Sequence, residues 1–540
     1  NLLLDMTKIF MSDDMGIGSA IGRGFSFQSD RSTWAKVSPY PNNIELEAAV
    51  VYAGSSSVAT VPDSRGVQIN VHYSISELPK VGGNGFKSRR ADDRVGYFLT
   101  VVKDFSENPE EEHFVRYINR WNLQKRDAAA ELSPPKEPIV FYVEKTTPVA
   151  LRPTIEAGIL EWNKAFEKIG FAGAIRVVHE EDVEAQMGVD IDPEDVRYNF
   201  FRWITADAGF AMGPSRVDPR TGQILDADII FDAGFLEYWR QDYETFTDED
   251  VARLDPNWTP LDEHAESLTR PYSHHVHSAQ CRYGHQLQQQ MGFSAAFLTA
   301  RGDISADGKL PRELIHQGLK EGVVHEVGHT LGLRHNFKAS TWKSLEEIRE
   351  HGADPSQPTV GSVMDYVPAN IERNKEQQGL YFTQTIGPYD LWAIEYGYKP
   401  IASNEEQELA KIAARSGEPG HDYATDEDTR SSDSDPLTNR FDLGDPIAFA
   451  RRQMEHARQM LNKVVDRSVK DGEGYQRARQ AFGMLISEYW RTAIFASRVP
   501  GGVYVSRHHK GAAAVRNHRP GAAARGDAAP DRFGIHRSRA

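Results

Sequence analysis

The eleven residues His325-Glu326-Val327-Gly328-His329-Thr330-Leu331-Gly332-Leu333-Arg334-His335 constrain this chain more than any other stretch. At ~100° per residue on an α-helix, His325 and His329 stand ~40° apart on one face, one turn apart along the axis. Two imidazoles so placed converge on a single ion. Glu326, beside the first of them, reaches a water on that ion without binding the ion itself. Gly332 suits the left-handed position that ends a helix, and the turn it makes brings His335 back as a third ligand. Three protein ligands leave a fourth position for water, which marks a catalytic zinc site and not a closed structural one. A plain polar helix face explains two histidines four apart, but five fixed residues at these spacings arise by chance in ~1 of 10,000 such chains. The metal reading therefore takes precedence.

The chain of 540 residues is too long for one hydrophobic core. With 39% hydrophobic, 10% aromatic and 26% charged residues, wholesale disorder is excluded. No apolar run approaches the ~18 residues of a membrane span. A net charge of −16 argues against a nucleic-acid partner. From Arg507 to Ala540, eight Lys/Arg stand against two Asp, a balance of +6, so the remainder carries −22. The single cysteine, Cys281, excludes an internal disulfide framework. Asn1–Met6 lacks the pattern of a signal peptide; a removed leader or a fragment would account for the start at Asn1.

The first 135 residues read as a β-rich domain, with strands expected at Ile44–Tyr52, Val67–Ser76 and Val95–Val102. A boundary is expected in the polar stretch holding Pro134, Pro135 and Pro138. Residues 136–400 then read as an α/β unit, the order being strand, helix, strands and helix. Its elements are a strand at Ile139–Glu144, an amphipathic helix over Thr147–Gly170, and strands at Ala174–Val178, Tyr198–Ile204 and Ile224–Phe231. A long helix from Pro311 to Leu331 closes the series. Residues 401–510 combine an acidic loop with two helices, the first opened by Asp445-Pro446 and the second striped by Phe482, Leu485, Tyr489 and Ala493.

The histidine pattern is the long zinc-binding signature of metzincin metalloproteases, which the chain resembles. The family needs a methionine turn, and Ser362-Val363-Met364-Asp365-Tyr366, with Met364 twenty-nine residues after His335, resembles one. Ile386–Tyr398 looks like the helix that closes such a domain. The wording of His325–Phe337, Gly387–Tyr398 and Gly501–Arg507 is similar to that of large bacterial zinc-dependent metzincin-type proteins. These have an uncharacterised β-rich N-terminal domain and a zinc-binding domain like the protease A-subunit of an enterotoxin. The resemblance implies an α+β metzincin fold, a twisted mixed sheet with an active-site helix and a Met-turn. It also implies Zn²⁺, a protein or peptide substrate lying along an edge strand near Ala208–Ser215 (where Gly209 and Gly213 permit close approach), and a periplasmic or extracellular location. In astacin-like and serralysin-like metzincins, a tyrosine two residues after the methionine reaches the metal and then swings to the tetrahedral intermediate, which implies a catalytic role for Tyr366. The alternative is a buried tyrosine that only packs. The resemblance stops at Gly511: residues 511–540 form an atypical basic low-complexity tail, read as a frameshift or truncation near Lys510, or else as a true basic tail.

Other candidates are set aside. His316 points ~180° away from the zinc face. His274, His275, His277 and His285 around Cys281 lack the spacing of a zinc knuckle, and Cys281 lacks the flanks of a latency switch. The acidic run Asp426–Asp445 offers calcium-type ligands without a loop pattern, so a solvated linker is expected. The expected function is zinc-dependent peptide hydrolysis with Glu326 as general base. The rivals are a zinc hydrolase of non-peptide amides and a non-catalytic zinc-binding protein.

Overall fold

The computed structural model describes residues 5–509 apart from 14, 23, 57, 59–60, 62, 64, 106–112, 207–210, 234–292, 295–296, 299–300, 302, 304–310, 430–434, 470 and 473. Cys281, His274, His275, His277, His285, Gly209 and the 511–540 tail lie outside the described residues. The chain forms two compact units. One comprises Asn1–Asn84 with Val183–Asn199, and the other Gly85–Asp182 with Phe200–Ala540.

The first unit holds α1 (Thr7–Phe10), α2 (Ile17–Ile21) and an antiparallel sheet of β1 (Ser26–Pro39), β2 (Asn43–Ala53) and β3 (Val67–Ser76), with β2 in the middle. Ala48, Val50 and Tyr52 of β2 are its core, covered by Phe25, Phe27, Trp34, Ile69 and Val71. Strand β1 escapes a sequence reading because it is polar and mostly exposed, and its register shifts between Gln28 and Thr33. Such a run looks like loop until it pairs.

The second unit opens with a hairpin of β4 (Leu99–Lys103) and β5 (Phe114–Ile118). Its main sheet has the order β7-β6-β8-β12-β9, built from β6 (Ile139–Val143), β7 (Ile175–His179), β8 (Asn199–Ile204), β9 (Ala211–Met212) and β12 (Ile229–Asp232). The pairs β6/β7 and β8/β12 are parallel, and β9 adds an antiparallel edge. Strands β10 (Ser215–Val217) and β11 (Ile224–Ala227) form a separate hairpin. Ile224–Phe231, expected as one strand, is thus two strands in two sheets. The single helix expected over Thr147–Gly170 is also two, α3 (Arg152–Leu160) and α4 (Asn163–Lys168). The apolar spacing runs unbroken through the join, but Trp162 there turns its indole to donate Nε1–H to the Val324 carbonyl at 2.9 Å.

After α5 (Glu180–Met187), the long helix α6 (Arg312–Thr330) is buried at every residue from Glu321 onward. A helix apolar on one stripe cannot do this; α6 is surrounded. Small residues let neighbours in: a Cβ at Gly158 of α3 would meet Val323 Cγ1 at 2.8 Å, and one at Gly213, after β9, the Glu326 carbonyl at 2.3 Å. The helical region follows: α7 (Leu345–His351), α8 (Pro388–Tyr398), α9 (Glu405–Ala413), α10 (Pro446–Leu461), α11 (Val464–Ser468) and α12 (Gln476–Arg498). The architecture is α+β. Residues 85–135 group with the second unit, so the expected boundary near 135 differs from the division by contact, which falls at Asn84.

Candidate metal centre

Helix α6 ends in a Schellman motif. Gly332 takes φ +93°, its N–H donates to the His329 carbonyl at 2.9 Å, and the Leu333 N–H reaches back to the Gly328 carbonyl at 3.1 Å. The remaining terminal carbonyls are also satisfied: Trp121 Nε1 donates to Thr330 at 2.8 Å and Tyr398 Oη to Leu331 at 2.7 Å. A Cβ at Gly332 would lie 2.0 Å from the Asn119 carbonyl, so both the φ and the space demand glycine. The turn carries the chain back to His335.

The three histidines meet. One ring nitrogen of each of His325, His329 and His335 lies within 4.8 Å of the others. Each presents the same atom for the same reason. The Nδ1–H of His325 donates to the Val363 carbonyl at 2.7 Å, that of His329 to the Leu333 carbonyl at 2.9 Å, and that of His335 to Asp426 Oδ2 at 2.9 Å. A proton held on Nδ1 makes Nε2 the lone-pair nitrogen. His329 Nε2 and His335 Nε2 are 3.1 Å apart. Two lone pairs at that distance repel unless a cation lies between them, so the donor set fits a metal and zinc suits three imidazoles. Burial holds His325 well below the usual histidine range, helped by the two neighbouring rings. Burial and His335 push His329 down to about 3, and burial lowers His335. All three are neutral, ligand-competent imidazoles at neutral pH.

The segment Ser362–Tyr366 lies beneath them, and Asp390 of α8 pins it. Its carboxylate accepts from Ser362 Oγ at 2.5 Å, Val363 N at 3.0 Å and Gly387 N at 2.7 Å, while burial pushes its pKa up to about 7. Tyr366, 1% exposed, places its Oη 3.0 Å from His335 Nε2. The structure therefore brings together His325, His329, His335 and Tyr366, with Met364 packed against Gly328 of α6. Glu326, beside His325 on α6, is fully buried. His316 stays apart, bonding Thr154 at 2.7 Å.

Sequence reasoning missed Asp426, which it placed in a solvated linker. Arg440 holds Asp426 at 2.9 Å and Arg334 approaches it at 3.8 Å. Burial alone would raise its pKa, but His335 and the two arginines keep the carboxyl far below its usual range. Arg440 also lies over the rings of Phe337 (4.7 Å) and Tyr366 (5.7 Å). Nothing in the acidic run distinguishes Asp426 from its neighbours, so no sequence signal was available for it.

Residues 307–531 match a family model described as Met-zincin, and residues 1–126 match one for a domain of unknown function. Residues 307–531 are thus similar to the Met-zincin family. The Met-zincin match contains all three histidines, Met364 and Asp426, and continues to residue 531, past the change of composition at Gly511. No curated protein and no solved structure matches the chain.

Proposed function

We propose that the chain is a zinc-dependent endopeptidase in which His325, His329 and His335 hold the metal, Glu326 is the general base and Tyr366 hydrogen-bonds the developing oxyanion. One observation carries the reading: three buried neutral imidazoles, each with Nδ1 engaged, turn their remaining nitrogens to one point. Zinc bound there supplies Lewis acidity, polarising the scissile carbonyl and lowering the pKa of water towards ~7. Glu326 takes the proton of the attacking water and delivers it to the leaving amine. Its position next to His325 keeps it beside the ligand cluster without adding a fourth protein ligand. The Tyr366 hydroxyl, already at His335, donates where negative charge develops. A peptide lies extended against the edge strand β9, whose Ala211 and Met212 pair on one side only with β12 among the described residues.

Elemental analysis and cleavage of casein and a broad peptide library, on wild type and Glu326→Ala, test this. We expect stoichiometric zinc in both. Cleavage should fall by about 10²–10⁴-fold in the variant, the usual worth of a positioned base. Stoichiometric zinc without peptide cleavage by the wild type refutes the peptidase reading and favours a hydrolase of other amides.

A further inference from the structure

Arg452 and His456 stand four residues apart on α10, so they share one helix face. Arg452 Nη1 donates to Asn370 Oδ1 at 2.9 Å and to Glu372 Oε1 at 3.3 Å. The opposite edge of the guanidinium, Nε and Nη2, is shut off from solvent and makes no hydrogen bond among the described residues, and only 10% of the side chain is exposed. His456 is 2% exposed, and its Nδ1 also makes none. Buried polar groups are paired almost everywhere in folded proteins, so two N–H donors and an imidazole nitrogen on one face mark a place where something binds.

Arginines crowd the surroundings. Glu372 is shared between Arg349 at 3.2 Å and Arg452, and Asp303 is held by Arg301 at 2.8 Å. Among the described residues, three guanidiniums thus meet two carboxylates in these pairs, and the exposed Arg373, Glu346 and Glu313 lie further out. Burial first, then Arg452, Arg301 and Arg373, pushes the His456 pKa down to about 3, and burial lowers Arg452 to about 10. At His456 the arginines add to the effect of burial, whereas at Arg452 burial dominates and Glu372 opposes it. The Phe297 ring, 4.4 Å from His456 and with Arg301 5.8 Å from its centroid, walls one side.

We propose that the Nε–Nη2 edge of Arg452 and Nδ1 of His456 form a binding site for a small oxyanion, a carboxylate or a phosphate. The Nε–Nη2 edge presents two parallel N–H groups at the spacing of two oxygens on one carbon or phosphorus, and neutral His456 donates a third bond from the same face. The proposal is independent of the metal centre.

Thermal unfolding of the full zinc-loaded chain tests it, with inorganic phosphate and acetate titrated at constant ionic strength. A saturable rise in Tm of about 2–4 °C at a hundredfold excess over Kd is expected from one of the two anions, and which one responds separates phosphate from carboxylate. Arg452→Lys keeps the charge and loses the fork. His456→Phe keeps the packing and loses the donor, and serves if the first variant does not fold. Each should weaken the apparent Kd at least about tenfold, the worth of one lost hydrogen bond to a charged group. Absence of any response in the wild type overturns the site. So does an equal response in either variant, which would place the anion elsewhere, for instance at the metal.

Discussion

Gly328 of α6 lies against Met364 with no room for a side chain between them. A Cβ added at Gly328 would come 2.2 Å from the Met364 sulfur and 2.8 Å from Trp162 Cζ2. Helix propensity and packing then make opposite predictions for Gly328→Ala. Propensity alone favours alanine by ~1 kcal/mol in a helix interior. Overpacking a fully buried site costs about 1–3 kcal/mol and must displace either Met364 or the helix carrying His325 and His329. We expect net destabilisation in urea, together with weaker zinc retention against a chelator. A variant as stable as the wild type, with unchanged zinc affinity, would show that Met364 moves away freely and does not support the ligands.

Asp426 gives the second prediction. Its carboxylate accepts the Nδ1–H of His335 and is itself gripped by Arg440. Partners of this kind orient a ligand and raise its basicity, and losing one typically costs 10- to 100-fold in metal affinity. Asp426→Ala should show a loss of about that size in competition with a chelator. Asp426→Asn, whose amide oxygen still accepts the bond but carries no charge, should fall in between. If both variants bind zinc as the wild type does, His335 is held by its backbone and the contact is incidental.

These two cases show why part of the site was legible from the chain and part was not. His325 and His329 are set by helix periodicity and His335 by a glycine turn, all within eleven residues, so local geometry alone brings them together. Met364 and Tyr366 were found only through their offset in a family pattern. Asp426 lies 91 positions from His335, and its segment reads like any solvated acidic run; only tertiary pairing singles it out. The same holds for Asp390, which reads as a first-turn helix acid until the chain folds and it proves to hold Ser362 and Val363. Periodicity foresaw the second and third strands of the N-terminal sheet but not β1, a polar edge. The interruption between α3 and α4 leaves the apolar spacing unbroken, so spacing does not reveal it.

A third prediction concerns pH. Asp442 is fully buried and accepts from Ser340 Oγ and Asn439 Nδ2, both at 2.8 Å, and burial pushes its pKa up to about 6. Its folded pKa therefore exceeds that of the unfolded chain, ~3.9. Between these values the folded state binds the extra proton, so the contribution is complete below about pH 4 and is lost as pH rises through about 6. Asp442→Asn cannot titrate. Its stability deficit relative to wild type should shrink by about 3 kcal/mol from about pH 4 to about pH 7 in paired denaturation curves. A deficit that is flat or widens with pH would mean that Asp442 is ionised in the folded protein.

Tyr366 separates a catalytic role from a packing one. Its ring sits among Phe337 at 5.0 Å, Phe441 at 5.5 Å and His335 at 4.7 Å, contacts that a phenylalanine would keep. Its hydroxyl, 3.0 Å from His335 Nε2, is the only part that Tyr366→Phe removes. If the ring alone matters, the variant cleaves peptides at the wild-type rate. If the hydroxyl donates to the oxyanion, kcat falls by roughly ten- to a thousandfold, up to the worth of one oxyanion donor. KM should change little, because that contact forms in the transition state and not on substrate binding. Zinc content and the thermal midpoint should stay at wild-type values, since no packing contact is lost. We expect the drop in kcat at constant KM. Wild-type turnover by Tyr366→Phe would remove the tyrosine from the mechanism and leave oxyanion stabilisation to the zinc.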